Sequence, residues 1–212
     1  MTRNSFDALS VALLAGAVAL TAAVYDKLPA RVPTHFDLHG RIDGWMDRPV
    51  GAWLLLGIAF LTWLIVRFGA FILPRGARER MNASPVQTLG FLTTALMVTL
   101  QGIVLYAALH PAASMGRALS GALGVYWIVL ALVLPRVRRN PFVGVRTAWT
   151  LSSDENWART HRFASFAFSL GGLVAVLAAL AGSPAFAIVA VLVSAFAPLV
   201  FSFVVAHRLP PT

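Results

Sequence analysis

The sequence contains no cysteine and few charged residues. Only 12% of its 212 residues are charged, against about 25% in an average soluble domain. Without cysteine the chain offers no disulfide, no thiol nucleophile and no zinc–thiolate site. The low charge, together with a hydrophobic content of 58%, excludes an ordinary soluble enzyme and a disordered chain.

The charges that are present are mostly basic, and the formal net charge is +9. A strongly basic composition is typical of nucleic-acid-binding proteins. Here, however, the basic residues lie in short gaps between long apolar runs, as in the cytoplasmic loops of membrane proteins. We therefore expect no direct contact with nucleic acid.

Six apolar runs are long enough to cross a bilayer, which takes roughly 20 helical residues. They are residues 8–25, 50–73, 88–109, 118–134, 163–181 and 184–206. The first run also has features of a signal peptide, with a preceding arginine and small residues at its end. Because five more spans follow, insertion needs no cleavage. The sequence predicts an all-α integral membrane protein with six transmembrane helices.

The distribution of Lys and Arg predicts the orientation of these helices. If all six helices cross the membrane, eleven Lys and Arg residues lie on the same side as the termini and five lie on the opposite side. The side richer in Lys and Arg is normally cytoplasmic. We therefore expect both termini to be cytoplasmic.

The apolar runs contain few polar groups. No Asp, Glu, Lys or His lies in the middle of a run, and Gln101 is the main polar residue, which we expect to bond to a neighbouring helix. Ser120 and Gly124 form a small-residue pair typical of helix packing. Pumps and ion-coupled carriers place ionisable groups near the midplane of the bilayer, so the composition disfavours both.

Residues 26–49, which we name the first loop, carry a compact polar cluster. Pro29 and Pro33 disfavour a helix here. His35 and His39 have helical spacing, but no His-Glu-x-x-His pattern supports a metal site. The simplest interpretation is an ordered loop held by Asp–backbone hydrogen bonds, and the alternative is a binding site for a ligand or a peptide. The candidate residues are His35, Asp37, Gly40, Asp43 and Gly44.

Residues 135–162, which we name the arginine-rich segment, form the second long gap. Asn140 precedes a proline in a turn signal, and Gly144 permits positive φ. Ser152 and Glu155 fit a capping box, which predicts a helix that begins near Ser153 and continues into the fifth run.

Three interpretations of the arginine-rich segment are open. It is an interfacial helix held by tryptophan and anionic headgroups, a docking surface for a cytosolic partner, or a catalytic site. No nucleophile accompanies a base in a recognisable motif, so the sequence predicts no enzyme, cofactor or metal. The candidate partner-binding residues are Asn140, Gly144, Arg146, Thr147, Trp149, Trp157, His161 and Arg162.

Two motifs resemble a known family. The arginine-rich segment reads Asn140-x-x-x-Gly144-Val145-Arg146-Thr147-x-Trp149-Thr150-Leu151 and then Trp157-x-x-Thr160-His161-Arg162. This pattern is similar to that of the SdpI family of bacterial membrane proteins, although Ala148 stands where the family tends to have proline. The first loop reads Pro33-x-His35-Phe36-Asp37-x-x-Gly40-x-x-Asp43-Gly44 and resembles the small domain of unknown function that often precedes it. On this resemblance, residues 1–73 form a first unit and residues 74–212 an SdpI-like region of four helices.

The resemblance implies immunity and signalling in a bacterial plasma membrane. The member that names the family protects its producer against a secreted killing peptide and holds a cytosolic ArsR-type autorepressor at the membrane. The implied partners are therefore the bilayer, a toxic peptide outside and a repressor inside. Two alternatives stay open: a small multi-pass permease or exporter, and a membrane enzyme with a metal site in the first loop.

Overall fold

The structure, a computed structural model, describes residues 3–72 and 83–208. Within these residues, six helices are long and apolar enough to cross a membrane, which confirms the predicted fold class and a multi-pass membrane location. In chain order the helices are α1 (Arg3–Val24), α2 (Arg48–Gly51), α3 (Leu54–Phe68), α4 (Ala83–Leu109), α5 (Gly116–Val133), α6 (Ala148–Ser152), α7 (Asp154–Leu180) and α8 (Pro184–Arg208).

The first loop folds into an antiparallel hairpin, where the sequence predicted an ordered loop. Strand β1 (Arg31–Phe36) pairs with β2 (Ile42–Asp47). Val32 on β1 is fully buried in a cluster with Leu28 and with residues of α4. The extended backbone places alternate side chains on one face, and burial of that face against α4 stabilises strands that a two-stranded hairpin alone would not maintain.

The long helices bring the hairpin to one end of the bundle and the arginine-rich segment to the other. Arg67, near the end of α3, lies 3.0 Å from the carboxylate of Asp7, near the start of α1, so those two helices run in opposite directions. Three basic residues that contribute to the predicted orientation, Arg75, Arg78 and Arg80, lie outside the described residues.

Small residues allow α5, α7 and α8 to pack closely. A Cβ atom on Gly124 of α5 would lie 2.9 Å from the carbonyl oxygen of Gly172 on α7, and Ser120 is buried at the same interface side of α5. The predicted packing role of the Ser120–Gly124 pair is confirmed. On α7, a Cβ atom on Gly171 would lie 3.0 Å from the carbonyl oxygen of Ala190 on α8. Helix α7 therefore packs closely against both α5 and α8.

Gln101 links three parts of the first half of the chain, as the sequence predicted. Its Nε2 donates to Thr21 Oγ1 on α1 at 3.2 Å and to the carbonyl oxygen of Ala52, before α3, at 2.9 Å. Both acceptors are surrounded by protein, where an unpaired polar group is costly. The amide therefore fixes α4 against α1 and the base of the hairpin.

Candidate functional site

The arginine-rich segment begins with a turn built around the side chain of Asn140. Its Oδ1 accepts hydrogen bonds from the backbone N–H groups of Phe142 and Val143, both at 2.8 Å. Its Nδ2 donates to the carbonyl oxygens of Arg138 at 2.8 Å and Val143 at 3.1 Å. The amide thus makes four hydrogen bonds within the turn and is buried. Asn140 shapes the segment rather than presenting a polar group to solvent.

Gly144 lies against two stacked rings near the start of α7. The rings of Trp157 and His161 are nearly parallel, with centroids 4.1 Å apart, and both side chains are buried. The φ of Gly144 is +121°, and a Cβ atom there would lie 2.4 Å from His161 Nε2. Only a residue without a Cβ fits this position without displacing the ring.

Both nitrogens of His161 are bonded to the backbone. Nε2 accepts from the Val145 N–H at 3.1 Å, and Nδ1 lies 2.9 Å from the carbonyl oxygen of Trp157. Because a carbonyl can only accept, the proton is on Nδ1 and the ring is neutral. Trp157 Nε1 donates to the Val137 carbonyl at 2.7 Å. The two rings therefore hold the backbone on both sides of the turn, at Val137 and at Val145.

The predicted capping box of Ser152 and Glu155 is wrong by one position. Ser153 caps α7, since its Oγ accepts from the Asn156 N–H at 3.2 Å. Ser152 belongs to α6 and donates to the Trp149 carbonyl instead. The physical reason is that an N-cap residue needs an extended backbone, which Ser153 has with φ −134° and ψ 123°. The predicted start near Ser153 and the continuation into the fifth span are confirmed.

Helix α8 is bonded to the segment on both sides of Ser153. The hydroxyls of Thr147 and Ser202 lie 3.2 Å apart, and Thr147 also caps α6 in a reciprocal box with Thr150. Asn156 Nδ2 donates to the Ser202 carbonyl at 3.0 Å. Ser202 is therefore bonded to the segment on both sides of Ser153.

Arg139 connects the turn to the start of α7. Its Nε donates to Asp154 Oδ1 at 2.6 Å and its Nη2 to Oδ2 at 3.3 Å, while Nη1 donates to the Leu151 carbonyl at 2.5 Å. Asp154 is largely exposed, so solvent screens the pair and its contribution to stability is small. Its main effect is to fix the direction of the guanidinium.

The structure separates the eight predicted partner-binding residues by exposure. Arg146, Trp149 and Arg162 are exposed, whereas Asn140, Trp157 and His161 are buried. The other two, Gly144 and Thr147, lie between these classes. Because Trp157 is 3% exposed, it does not anchor α7 in lipid headgroups, as the interfacial-helix interpretation required. Residues available to contact a partner are thus the exposed ones.

In the first loop, Asp37 organises the tip of the hairpin. Its Oδ1 accepts from the backbone N–H groups of Arg41 and His39, both at 2.8 Å, and its Oδ2 from Arg41 Nε at 2.9 Å. The bond from the Arg41 N–H, with those from the guanidinium and His39, lowers the pKa of Asp37 from 3.8 to about 2. The carboxylate therefore supports the turn above about pH 4 and loses this effect only as the pH falls toward 2.

His35 and Asp43 face each other across the hairpin. His35 Nδ1 lies 2.5 Å from Asp43 Oδ1, and both side chains are well exposed. Gly44 is opposite His35 in the strand register, where a Cβ would lie 2.7 Å from His35 Cβ. His39 lies beside Asp37 instead. In the part of the chain that the structure describes, no three His, Asp or Glu side chains are placed to share a metal ion.

The tip of the hairpin is docked on the start of α5, which itself lies next to the start of α8. Gly40 has φ +77°, and its carbonyl oxygen accepts from the Met115 N–H at 3.2 Å. A Cβ on Gly116 would lie 2.9 Å from both the His39 carbonyl oxygen and Pro184 Cγ. The first loop therefore contacts the second half of the chain directly.

Sequence reasoning missed several residues that hold the arginine-rich segment in place. These include Arg139 and a buried set on α7 and α8, in which Thr160 Oγ1 donates to Asn156 Oδ1 at 2.9 Å and Asn156 bonds to Ser202. A signal was present, because Asn156 and Thr160 have i, i+4 spacing and Ser202 interrupts an apolar run. No comparable sequence pattern predicts the ion pair between Arg139 and Asp154.

Comparison with known proteins gives two matches to family models. The model of the SdpI/YfhL protein family matches residues 136–202, which contain nearly all of the arginine-rich segment, α7 and most of α8. The model of a domain of unknown function, DUF1648, matches residues 12–65, which contain the hairpin and parts of its flanking helices. Neither a curated protein nor a solved structure matches the chain.

Proposed function

We propose that this membrane protein, in which an SdpI/YfhL-family region follows a DUF1648 domain, gives a bacterial cell immunity to a secreted toxic peptide. The hairpin senses the peptide outside the cell, and the exposed part of the arginine-rich segment binds a cytosolic repressor of the ArsR type. The family match supports this proposal, and so does one feature of the tertiary structure.

That feature is the path of α8 between the two sites. Pro184, its first residue, lies next to Gly116, the α5 residue against which the hairpin tip is packed. Ser202, near its other end, bonds to Asn156 and lies beside Thr147 in the arginine-rich segment. A shift of the hairpin therefore acts first on Gly116 at the start of α5 and, through the close approach of Gly116 to Pro184, on α8, whose other end is bonded to the segment. A contiguous series of packed contacts of this kind can carry coupling between two sites.

Arg146 and Trp149 are the strongest candidates for the contact with a partner. Arg146 is exposed and donates through Nη1 to the Pro141 carbonyl at 2.6 Å, which holds its stem against the turn. Trp149 is 38% exposed, with its ring edge against Phe203. Arginine and tryptophan are enriched among residues that dominate binding energy at interfaces, and both here are held in place before binding.

The proposal requires the hairpin to be outside the cell and the arginine-rich segment inside. Because the chain has no cysteine, single cysteines can report this directly. In intact cells, His39→Cys should react with a membrane-impermeant maleimide, whereas Arg146→Cys should react only after permeabilisation. The reverse labelling pattern would refute the orientation that the Lys and Arg distribution predicts.

Replacing Arg146 or Trp149 with alanine should abolish signalling without loss of the protein. Both side chains lie at the surface, so the membrane level of each variant should match that of the unchanged protein. Trp149→Ala also loses the ring contact with Phe203, so its unfolding midpoint should be slightly lower. Two quantities should fall by tenfold or more: survival of cells in medium from bacteria that secrete the toxic peptide, and induction of a reporter gene that the repressor controls. A tenfold loss is expected when the interface loses about 1.4 kcal/mol of binding free energy. Arg159→Ala, an exposed arginine paired with Glu155 on the same segment, is the matched control.

The result separates immunity from signalling. If reporter induction falls but survival does not, the two activities use different surfaces and the repressor arm alone depends on Arg146 and Trp149. If both variants equal the Arg159→Ala control in both assays, the segment does not contact a partner through these residues. If cells with and without the protein survive equally, the immunity proposal fails.

A further inference from the structure

A basic cleft lies in the arginine-rich segment, and neither Arg146 nor Trp149 lines it. It is an open cleft with a volume of about 850 Å³, between the chain that follows α5 and the first turns of α7. This volume is within the range of roughly 300–1,000 Å³ found for ligand sites. Three arginines and one carboxylate line it, so its side chains carry a net charge of +2. These four are Arg136, Arg138, Arg139 and Asp154.

The cleft combines this charge with an apolar wall. Trp157, Val137 and Leu151 contribute to its lining, and Trp157 is held by its bond to the Val137 carbonyl. His161 also reaches the cleft but is neutral, because Nε2 accepts from a backbone N–H. A site with positive charge on one side and apolar surface on the other suits an amphipathic anion better than a small hydrated ion.

Arg139 is already aligned before any ligand binds. Asp154 and the Leu151 carbonyl hold the guanidinium of Arg139 from one side. Guanidinium groups bind phosphate oxygens through two parallel hydrogen bonds, and less conformational freedom is lost when the group is already oriented. The chemistry of the lining is therefore that of a phosphate site.

The position of the cleft along the helices indicates which kind of molecule carries the phosphate. Arg136 is the last residue of the fourth candidate membrane span, residues 116–136. The other wall is formed by the first turns of the fifth candidate span, residues 154–180. Both walls are thus at the depth at which a spanning helix leaves the hydrocarbon core, which is the level of lipid headgroups. Basic pockets between helices at this level bind anionic headgroups.

We propose that this cleft binds the phosphate of an anionic phospholipid headgroup. Arg136 and Arg138 pair with the phosphate, Arg139 adds a pre-aligned guanidinium, and the apolar wall receives the glycerol region. This inference does not depend on the proposed immunity function, since it uses neither Arg146 nor Trp149.

The test uses the full-length protein in neutral detergent, with lipid binding followed by thermal stabilisation and by native mass spectrometry. Dioctanoyl phosphatidylglycerol should raise the unfolding midpoint in a saturable way, and dioctanoyl phosphatidylcholine should not. The double variant Arg136→Gln/Arg138→Gln should bind phosphatidylglycerol at least tenfold more weakly. The control Arg159→Gln/Arg162→Gln removes the same charge from exposed residues of the same segment that do not line the cleft, and should stay within twofold.

Each alternative gives a different result. Inorganic phosphate that binds as tightly as phosphatidylglycerol would overturn the lipid source, and equal losses in the two double variants would overturn a discrete site in favour of diffuse attraction. A polyglutamate peptide that binds through Arg136 and Arg138 while phosphatidylglycerol does not would identify a protein-docking cleft and refute the proposal. If the double variant does not fold, Arg138→Gln alone, at an exposed side chain, is measured against Arg162→Gln with the same criteria.

Discussion

Alanine in place of Gly144 is expected to detach the turn of the arginine-rich segment from α7. The new Cβ would lie 2.4 Å from His161 Nε2, at a ring that cannot move freely because it stacks on Trp157 and has two backbone hydrogen bonds. Alanine is also strained at φ +121°. Strain of about 1–2 kcal/mol and overpacking of about 1–3 kcal/mol predict a total loss near 3 kcal/mol.

For a chain of this size, such a loss should lower the midpoint of thermal unfolding in detergent by about 6–12 °C. Hydrogen exchange should increase most at the Val145 N–H, whose acceptor is His161 Nε2. Gly57→Ala is the control, because no atom lies within 4 Å of a Cβ there and glycine inside a helix costs stability relative to alanine. A Gly144→Ala protein as stable as this control would contradict the close approach of the turn to the ring.

The second large effect is expected at Gly40, where any Cβ should lift the hairpin from the bundle. The Cβ would lie 2.0 Å from the Gly116 N atom and 2.2 Å from Gly116 Cα. These are backbone atoms at the start of α5, so no side-chain movement relieves the clash. The expected loss is about 3 kcal/mol locally, from positive φ and overpacking together, with faster hydrogen exchange in both strands and loss of immunity.

A comparison of two substitutions separates the two causes at Gly40. Asparagine tolerates the left-handed region better than alanine, but it carries the same Cβ. Gly40→Asn should therefore release the hairpin about as fully as Gly40→Ala, because the close approach to Gly116 dominates. If Gly40→Asn behaves as wild type, the strain of positive φ alone explains the alanine variant and the hairpin is not held by this contact.

Several single residues explain why parts of the fold could be predicted and others could not. Gln101 was identifiable because one strongly polar group in an apolar run must find a partner inside the protein. The start of α7 was predicted to within a residue, but two consecutive serines made the cap ambiguous until the backbone conformation of Ser153 was known. The hairpin strands were missed because their stability comes from burial of Val32 against α4, a contact between distant parts of the chain.

In the candidate site, too, some features could be predicted from the sequence and others could not. The motif residues Asn140, Gly144, Trp157 and His161 were recognised from the sequence, yet a motif does not distinguish a residue that shapes a turn from one that binds a partner. Burial and hydrogen bonding make that distinction, and they place Asn140, Trp157 and His161 in the scaffold. The contribution of Arg139 was missed because its pairing with Asp154 depends on the direction of the chain after α5.

The sequence by itself determined that the chain is a multi-pass helical membrane protein and which gaps carry its motifs, because length, hydropathy and local spacing are properties of single segments. Only the tertiary structure decided which motif residues are exposed and that three arginines share one cleft. It also decided that the hairpin tip contacts Gly116, that Gly116 lies next to Pro184, and that α8 extends from Pro184 to the arginine-rich segment. The physical reason is that these features are distances between segments far apart in the chain. Such distances depend on how closely the helix backbones pack, and no local sequence pattern predicts them.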